Sequence, residues 1–316
     1  MATGTVIKNT GSAYTVRPDL GGDAITCRIK GNFRIKGIRT TNPVAVGDRV
    51  VFGTPGRDGV ALITAIEPRR NYIIRKASNL SKAASIIAAN VDLALLVVSL
   101  VHPETSTTFI DRFLASAEAY GVPAVLAINK TDLLDGEEDG REYLAAVRNL
   151  YETIGYRTVA VSARTGEGLD SLRELLAGRT TLFSGNSGVG KSSLINALIP
   201  GLDLRTGSIS EANDSGMHTT TFSEMFELPS GGYIIDTPGV RGFGTVEFDA
   251  AEVGHFFPEI FRESAHCRFG DCTHTHEPGC AVLKAVDESR ISQSRYSSYL
   301  SILEEASAAA PDKYRS

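Results

Sequence analysis

The stretch GNSGVGKSS, residues 185–193, constrains the fold more than any other feature of this 316-residue chain. It lies between TTLFSG, an apolar segment typical of a strand, and GKSSLINALIPG, which has a helical pattern. Such a glycine-rich turn binds phosphates, because its backbone N–H groups and the helix N-terminus attract negative charge. The spacing fits G-x-x-x-x-G-K-[ST]. The predicted loop residues are Gly185, Asn186, Ser187, Gly188, Val189, Gly190, Lys191, Ser192 and Ser193.

Residues in and after this loop predict where Mg²⁺ and the transferred phosphate would lie. Lys191 places a positive charge near the β- and γ-phosphates, and Ser192 offers a hydroxyl to Mg²⁺. Downstream, the apolar segment YIID ends in Asp236, whose carboxylate can hold Mg²⁺ through water. Gly239 can donate its backbone N–H to the γ-phosphate. DTPG, which contains both residues, is close to the DxxG switch sequence of GTPases.

The polar segment MHTTT lies between these two motifs and contains Thr219, Thr220 and Thr221. A threonine here can close on Mg²⁺ when a triphosphate is bound, but the spacing does not distinguish among the three. We assign the role to Thr219 or Thr220. A solvated threonine-rich loop is the alternative.

The four residues NKTD, which are Asn129, Lys130, Thr131 and Asp132, follow the buried strand pattern VPAVLAIN. The Asp132 carboxylate would accept hydrogen bonds from the N1 and N2 donors of guanine, a pattern that adenine cannot offer. Asn129 would hold the loop, and the Lys130 stem would cover the base. Four residues alone are weak evidence, and a surface turn is the alternative.

The order of the motifs indicates a cyclic rotation of the usual GTPase order. Ser162 and Ala163 follow the strand pattern TVAV, where a backbone N–H fits the guanine O6. NKTD and this SA pair precede the phosphate loop, whereas an ordinary GTPase has the phosphate loop first. Because loops at the carboxyl ends of a parallel sheet gather in one crevice, rotation preserves the site. The helical segment LDSLRELLAGRT would join the old termini.

Strand and helix patterns divide the chain into three predicted domains. Residues 1–70 contain five short strand patterns between turn signals, which indicates an oligonucleotide-binding (OB) fold β-barrel, with an SH3-like barrel as the alternative. Cys27 lies two residues from both Ile25 and Ile29 in a strand pattern, and it is predicted to lie in the core. Residues 71–245 alternate strands and helices, which predicts an α/β domain with a parallel sheet. Residues 246–316 are predicted to be helical.

Composition excludes a membrane-spanning protein and favours a cytoplasmic one, which we predict to be a monomer. Apolar residues make up 42% of the chain, but no run approaches the ~18 residues that a span requires, and no secretory signal is present. The net charge of -5 hides an asymmetry, because residues 1–70 hold 11 Lys and Arg against 5 Asp and Glu. That segment is therefore +6 and the rest is -11. A basic module on an acidic body suits RNA docking, and a solvated charged surface is the alternative.

Three of the four cysteines cluster with histidines. Three thiolates and one imidazole are a full tetrahedral set for Zn²⁺, and a closed four-ligand site is structural. His266 and His276 could compete for the fourth position, and buried free thiols are the alternative to a metal site. The predicted ligands are Cys267, Cys272, His274 and Cys280.

With these residues in place, the chain resembles the circularly permuted, small-ribosomal-subunit-dependent GTPases called RsgA or YjeQ. The resemblance covers nearly the whole chain and rests on the basic barrel, NKTD, GNSGVGKSS, HTTT, DTPGV and the cysteine cluster. It implies an OB-fold barrel, a circularly permuted GTPase domain and a C-terminal zinc domain, and it supports His274 as a ligand. It also implies late maturation of the small ribosomal subunit, rRNA binding, and GTP hydrolysis to GDP stimulated by that subunit.

The residue that activates water is not apparent. Val240 follows DTPG, at the position where some GTPases carry a glutamine that orients water. The family shares this hydrophobic residue, so we expect slow intrinsic hydrolysis, with the missing group supplied by a rearrangement or by the partner. His218 and His255 are candidates for the role.

A last helix is predicted from Asp287 to Glu305, followed by a disordered tail. It carries Arg290, Arg295, Tyr296 and Tyr299, which would contact RNA or form a solvated face.

Two other functional classes fit parts of the sequence. A metabolic P-loop enzyme with a working metal would need an open metal site and a substrate pocket, which the four-ligand set argues against. A GTP-dependent binding module without hydrolysis would share every motif. Only turnover measured with and without ribosomal subunits separates that module from a GTPase.

Overall fold

A computed structural model describes residues 1–29, 43–76, 84–204, 223–236, 246 and 248–309. Its first five strands are β1 (Ala2–Asn9), β2 (Tyr14–Pro18), β3 (Ile25–Ile29), β4 (Arg49–Phe52) and β5 (Ala61–Ile66). They form a closed ring, because β1 pairs with both β2 and β4, while β3 and β5 pair in parallel. Cys27 is fully buried in the barrel core, as predicted. The closed five-stranded ring confirms the OB-type barrel.

The next region alternates strands and helices. Its strands are β6 (Tyr72–Lys76), β7 (Ala84–Ala89), β8 (Leu93–Ser99), β9 (Ala124–Asn129), β10 (Arg157–Ala160), β11 (Thr180–Ser184), β12 (Glu224–Glu227) and β13 (Tyr233–Asp236). Its helices are α1 (Thr107–Ala119), α2 (Gly140–Ile154), α3 (Leu169–Leu176) and α4 (Lys191–Leu198). Strands β10, β9, β8, β11 and β13 lie side by side and parallel, as predicted. Every residue of β8 is buried, which is typical of a strand covered on both faces.

Two features of this region differ from a purely parallel sheet. Strand β12 runs antiparallel to β13, and β6 and β7 form a separate antiparallel hairpin. Neither element was predicted. The β12 sequence EMFE is four residues long with two glutamates, so no apolar run marks it. The hairpin strands are also short, and a polar segment separates them.

The barrel continues the central sheet, because β1 pairs with the outer edge of β12. Lys8 lies opposite Glu224 in that antiparallel pair, and the Lys8 Nζ is 2.8 Å from the Glu224 Oε1. The result is one sheet of eleven strands that runs from β10 to the barrel. Strand β12 follows the HTTT segment and precedes β13 and DTPG. The barrel is therefore attached to the strand that separates the two predicted switch segments.

The C-terminal region contains three helices, α5 (Pro258–Ser264), α6 (Ala281–Asp287) and α7 (Gln293–Ala309). The predicted last helix is partly wrong, because α7 begins six residues after Asp287 and continues beyond Glu305. Residues 310–316, in the predicted disordered tail, lie outside the described part of the chain. The apolar face of α7 packs on α1, where Ala115 belongs to the same buried cluster.

The predicted exposed face of the last helix is wrong for three of its four residues. Arg295, Tyr296 and Tyr299 are all buried, whereas Arg290 is exposed. The Arg295 guanidinium donates to Glu259 on α5 and to Asp111 on α1. A charged residue can be buried in this way when it is fully paired.

In the described ranges, no helix is both long enough and apolar enough to cross a bilayer.

Candidate functional site

The described residues of the predicted nucleotide site meet at one edge of the central sheet. NKTD begins at the carboxyl end of β9, the SA pair follows β10, the phosphate loop follows β11, and Asp236 ends β13. These strands are parallel and adjacent or nearly so, with β8 between β9 and β11. The permuted connections therefore still deliver all four segments to one crevice, because the sheet and not the chain order decides where the loops lie.

Asn129 ties three of these segments together. Its Nδ2 donates to the Val189 carbonyl of the phosphate loop at 2.9 Å, and its Oδ1 accepts from the Ala163 N–H at 3.1 Å. The side chain is buried, with 3% of its surface exposed, so these bonds are shielded from water. The sequence predicted that Asn129 holds the loop. The structure adds that the Ala163 N–H, expected at the guanine O6, donates to Asn129.

The Asp132 carboxylate is held in place by the SA segment. The Ser162 hydroxyl donates to the Asp132 Oδ1 at 2.6 Å and accepts from the Thr165 N–H at 3.1 Å. The Arg164 guanidinium lies 4.0 Å from the Asp132 Oδ2. One serine bond leaves further acceptor sites on the carboxylate, since an ionised carboxyl group can accept about four hydrogen bonds. The group can therefore receive two parallel N–H donors from a purine.

Lys130 reaches a segment that the sequence did not single out. Its backbone has a left-handed φ of 65°, and its Nζ donates to the His102 carbonyl. His102 lies between β8 and α1, and a Cβ on Gly188 would come within 3.3 Å of the neighbouring Pro103. The segment after β8 thus contacts both NKTD and the phosphate loop. No motif marks it, because it acts through a backbone carbonyl.

The phosphate loop needs glycine at two positions. Gly185 has a φ of 149°, and a Cβ there would lie 2.3 Å from the Val97 carbonyl oxygen. Gly190 has a φ of 91°, and a Cβ there would lie 2.4 Å from the Asn129 Nδ2. Helix α4 begins immediately afterwards at Lys191, whose Nζ donates to the Gly185 carbonyl at 3.3 Å. The ammonium group is therefore already directed across the loop that would wrap a phosphate.

The oxygen donors for a hard cation are divided between α4 and β13. Ser192 is in the first turn of α4, and Asp236 pairs with Phe183 of β11, two residues before the phosphate loop. A hydroxyl and a carboxylate suit Mg²⁺, which prefers oxygen ligands. Several other predicted residues lie outside the described part of the chain, namely His218, Thr219, Thr220, Thr221, Gly239 and Val240.

A second cluster lies in the C-terminal region, where the four predicted zinc ligands converge. The ligand atoms of Cys267, Cys272, His274 and Cys280 all lie within 4.8 Å of one another. The Cys267 and Cys280 sulfurs are 3.9 Å apart, and they lie 3.6 and 3.5 Å from the His274 Nδ1. A tetrahedral zinc with bonds of ~2.3 Å to sulfur and ~2.05 Å to nitrogen requires separations of ~3.8 and ~3.6 Å. The residues therefore fit a zinc ion.

Surrounding groups fix the loop that carries His274. The Tyr296 hydroxyl donates to the His274 carbonyl at 2.7 Å, and the Tyr299 hydroxyl donates to the Thr273 carbonyl at 2.7 Å. Burial lowers the pKa of His274, which favours the neutral imidazole that binds metals. Burial opposes ionisation of Glu277, but hydrogen bonds from Thr273 and from backbone N–H groups hold its pKa below the usual range. The two tyrosines were predicted at an RNA-facing or solvated surface, and they instead support the cluster.

Comparison with known proteins agrees with this geometry. Residues 66–246 match the family described as RsgA GTPase, and residues 3–61 match the RsgA N-terminal domain. The chain is 61% identical over 302 residues to a Bacteroides fragilis protein named small ribosomal subunit biogenesis GTPase RsgA. That match covers 96% of both chains.

Two solved structures have the same fold over nearly their full length. The crystal structure of YjeQ from Thermotoga maritima has a TM-score of 0.80 and 34% identity, covering 98% of this chain and 99% of that one. The structure of YloQ, described as a circularly permuted GTPase, has a TM-score of 0.76 and 31% identity, covering 98% and 96%. The permuted order of the site loops, the closed barrel and these matches lead to one conclusion: the chain belongs to the RsgA GTPase family.

Proposed function

We propose that this protein hydrolyses GTP to GDP in the late maturation of the small ribosomal subunit, and that the subunit stimulates hydrolysis. The observation that carries the nucleotide part is the Asn129 side chain, which joins NKTD, the SA pair and the phosphate loop. A base site and a phosphate site held by one buried amide suit a nucleotide, and the Asp132 carboxylate in that base site suits guanine. The ribosomal part is supported by the name of the Bacteroides fragilis relative.

Each group of site residues has a role in this proposal. Asp132 accepts from the guanine N1 and N2, the Lys130 stem covers the base, and Thr131 anchors the loop between them. Ser162 orients Asp132, and Ala163 offers its N–H to Asn129 or to the guanine O6. The phosphate loop, residues 185–193, surrounds the phosphates, with Lys191 as the positive charge that stabilises the transition state.

Mg²⁺ accompanies the nucleotide and would neutralise charge on the β- and γ-phosphates. Ser192 and Asp236 would hold it, with Thr219 or Thr220 closing from the segment before β12. Gly239 would donate its N–H to the γ-phosphate. The side chain of Val240 is apolar, so it cannot orient the attacking water. Isolated turnover is therefore expected to be slow, and docking on the subunit would supply or reorder the missing group.

The cysteine cluster is proposed to hold one structural zinc ion. Four protein ligands leave no open coordination position, so the metal would stabilise the C-terminal region and take no part in hydrolysis. The proposed domains are residues 1–70, 71–245 and 246–316. We also predict that the protein is located in the cytoplasm and that it acts as a monomer.

We assign contact with rRNA to the barrel, although many of its basic residues already form ion pairs with acidic residues of the protein. Of its 11 basic residues, four lie outside the described ranges, at positions 30, 34, 36 and 39. Five form ion pairs, namely Lys8, Arg17, Arg49, Arg69 and Arg70. Arg28 and Arg57 are exposed and pair with no acidic residue within the described ranges. They are the best described candidates for phosphate contacts.

The test is steady-state phosphate release from GTP with small subunits, with large subunits and with neither. We expect small subunits, but not large subunits, to raise the rate by roughly tenfold or more, since a missing catalytic group supplied in trans has at least this effect. Equal rates in the three conditions would refute the ribosome-dependent function and leave a GTP-binding protein of another role.

Charge reversal tests the barrel without removing it. Arg28→Glu combined with Arg57→Glu should weaken small-subunit binding and lower the stimulated rate, while turnover without subunits stays constant. Each single variant, Arg28→Glu or Arg57→Glu, is compared with Arg157→Glu, which makes the same charge change at an exposed position of β10 at the opposite end of the sheet. Added salt should weaken binding less in the double variant than in the wild type, since fewer counterions are released. Equal salt dependence would show that RNA binds elsewhere.

A further inference from the structure

Glu167 contacts both guanine-reading segments, although no nucleotide motif includes it. It lies in the turn after the SA pair, in the sequence SARTGEG. Its side-chain Oε2 accepts from the Thr131 hydroxyl at 2.9 Å. Its main-chain carbonyl accepts from the Ser162 N–H at 3.0 Å. One residue thus holds NKTD through its side chain and the SA pair through its backbone.

Both residues that Glu167 holds lie next to the Asp132 carboxylate. Thr131 is fully buried and precedes Asp132 in the chain, and its N–H donates to the Val161 carbonyl at 3.3 Å. Ser162 is also fully buried, and its hydroxyl donates to Asp132 directly at 2.6 Å. The Asp132 carboxylate is therefore positioned by two neighbours, and both depend on Glu167.

The other side-chain contact of Glu167 is weaker. The Arg141 NH1 lies 3.4 Å from the Glu167 Oε1, and both side chains are about half exposed. Arg141 has a closer partner in Asp135, with bonds of 2.7 and 3.0 Å. Exposed ion pairs with such geometry contribute little, so a surface salt bridge does not account for the placement of Glu167. The bond to the buried Thr131 hydroxyl is the specific one.

We propose that Glu167 is a positioning residue for guanine recognition. Its bond to Thr131 and its backbone bond to Ser162 hold the Asp132 carboxylate where it can accept from the 2-amino group and N1 of guanine. Misplacement of this carboxylate affects a nucleotide with a 2-amino group more than one without it. The inference rests on the proposed function, because it assumes that Asp132 reads guanine.

The test compares GDP with inosine diphosphate (IDP), which lacks the 2-amino group. Calorimetric titration of the full chain gives both dissociation constants, and their ratio measures recognition of that group. In Glu167→Ala we expect GDP affinity to fall roughly tenfold, the size expected for loss of a hydrogen bond to a charged acceptor. IDP affinity should fall less, so the dissociation constant for IDP divided by that for GDP becomes smaller than in the wild type. Thr131→Val should have the same effect, and the double variant should be no worse than either single variant.

Three controls separate positioning from a general loss of structure. Glu167→Gln keeps an oxygen that can accept from Thr131, so it should retain most of the wild-type ratio. Arg141→Gln removes the surface contact and should leave the ratio unchanged. Glu174→Ala makes the same charge change at an exposed position of α3 and should also have no effect.

Two results would overturn the inference. The first is a Glu167→Ala variant in which GDP and IDP affinities fall equally, because that pattern indicates a structural role alone. The second is additive losses in the double variant, because Glu167 and Thr131 would then act independently. A wild-type chain that binds GDP no better than ADP would instead overturn the proposed function itself, and this inference with it.

Discussion

Arg295 is the largest fully buried side chain among the described residues, and replacing it should strongly destabilise the protein. Its guanidinium bonds to the Glu259 carboxylate at 2.7 and 3.2 Å and to the Asp111 Oδ1 at 2.9 Å. It also lies 4.6 Å above the Phe257 ring. The perturbation we choose is Arg295→Met, because methionine keeps part of the apolar stem and removes only the cation and its donors.

The expected cost is about 3–5 kcal/mol, the usual range when one partner of a buried ion pair is removed. Three charge-assisted hydrogen bonds, at about 1.5–3 kcal/mol each, would give a larger sum. The loss of stability is limited because an unpaired buried carboxylate can take up a proton. At pH 7, protonating a carboxyl group with an ordinary pKa costs about 4 kcal/mol, because about three pH units separate the two and each is worth about 1.4 kcal/mol.

The pH dependence of the loss has a definite sign. Burial already raises the pKa of Asp111, even though Arg295 opposes that shift. Without Arg295 the pKa rises further, and a group with a raised pKa stabilises the fold at low pH and loses that contribution as pH increases. The deficit of Arg295→Met relative to the parent should therefore be small near pH 4 and grow towards pH 7.

Urea unfolding measures the effect, followed by circular dichroism and by tyrosine fluorescence, since the chain has no tryptophan. Arg112→Met is the matched control, because Arg112 joins the same two helices through an exposed pair with Glu305 and should cost about 0–1 kcal/mol. Adding Asp111→Asn and Glu259→Gln to Arg295→Met should restore much of the loss. A cost below about 1 kcal/mol at pH 7, equal to that of the control, would refute burial of this cluster.

Four other outcomes test the site. Asp132→Asn should shift preference from GTP towards xanthosine triphosphate, as competition binding would reveal, because the donor–acceptor pattern at the purine 2-position is reversed. Lys191→Ala should abolish turnover without changing the circular dichroism spectrum, and retained turnover would move the site elsewhere. Gly190→Ala should prevent nucleotide binding, because its Cβ would collide with the Asn129 Nδ2, and unchanged GDP affinity would contradict the loop geometry. Cys272→Ala should lose the single zinc found by metal analysis of the wild type and unfold the C-terminal region first, so stoichiometric zinc in that variant would disprove the ligand set.

The sequence was sufficient for the elements whose signals are local. The phosphate loop, NKTD and the SA pair each follow a buried strand, and parallel strands bring such loops to one edge whatever their order. The burial of Cys27 followed from strand alternation alone. Within the cysteine cluster, the Cys-x-His spacing and the family resemblance together favoured His274, which the structure places beside the three sulfurs.

The features that could not be predicted depend on contacts between distant parts of the chain. Arg295 and Asp111 are 184 residues apart, so nothing near Arg295 indicates that it has a buried partner. Charged residues on a helix usually indicate a surface, and here tertiary pairing reverses that expectation. Glu167 was missed because a glutamate in a glycine-rich turn is ordinary, and only its bond to Thr131 distinguishes it. Strand β12 was missed because pairing on both edges compensates for its weak apolar character.

The β1–β12 pair also affects the order in which the chain can fold. The barrel strands lie within residues 2–66, so the ring can close soon after that segment leaves the ribosome. Lys8 must then wait for Glu224, which is 216 residues later. At about 5–20 residues per second, synthesis of the intervening chain takes about 10–40 s, during which the end of β1 at Lys8, beyond the residues that pair with β4, lacks its β12 partner. Joining the barrel to the sheet is therefore among the last steps of folding, although the barrel itself can close long before.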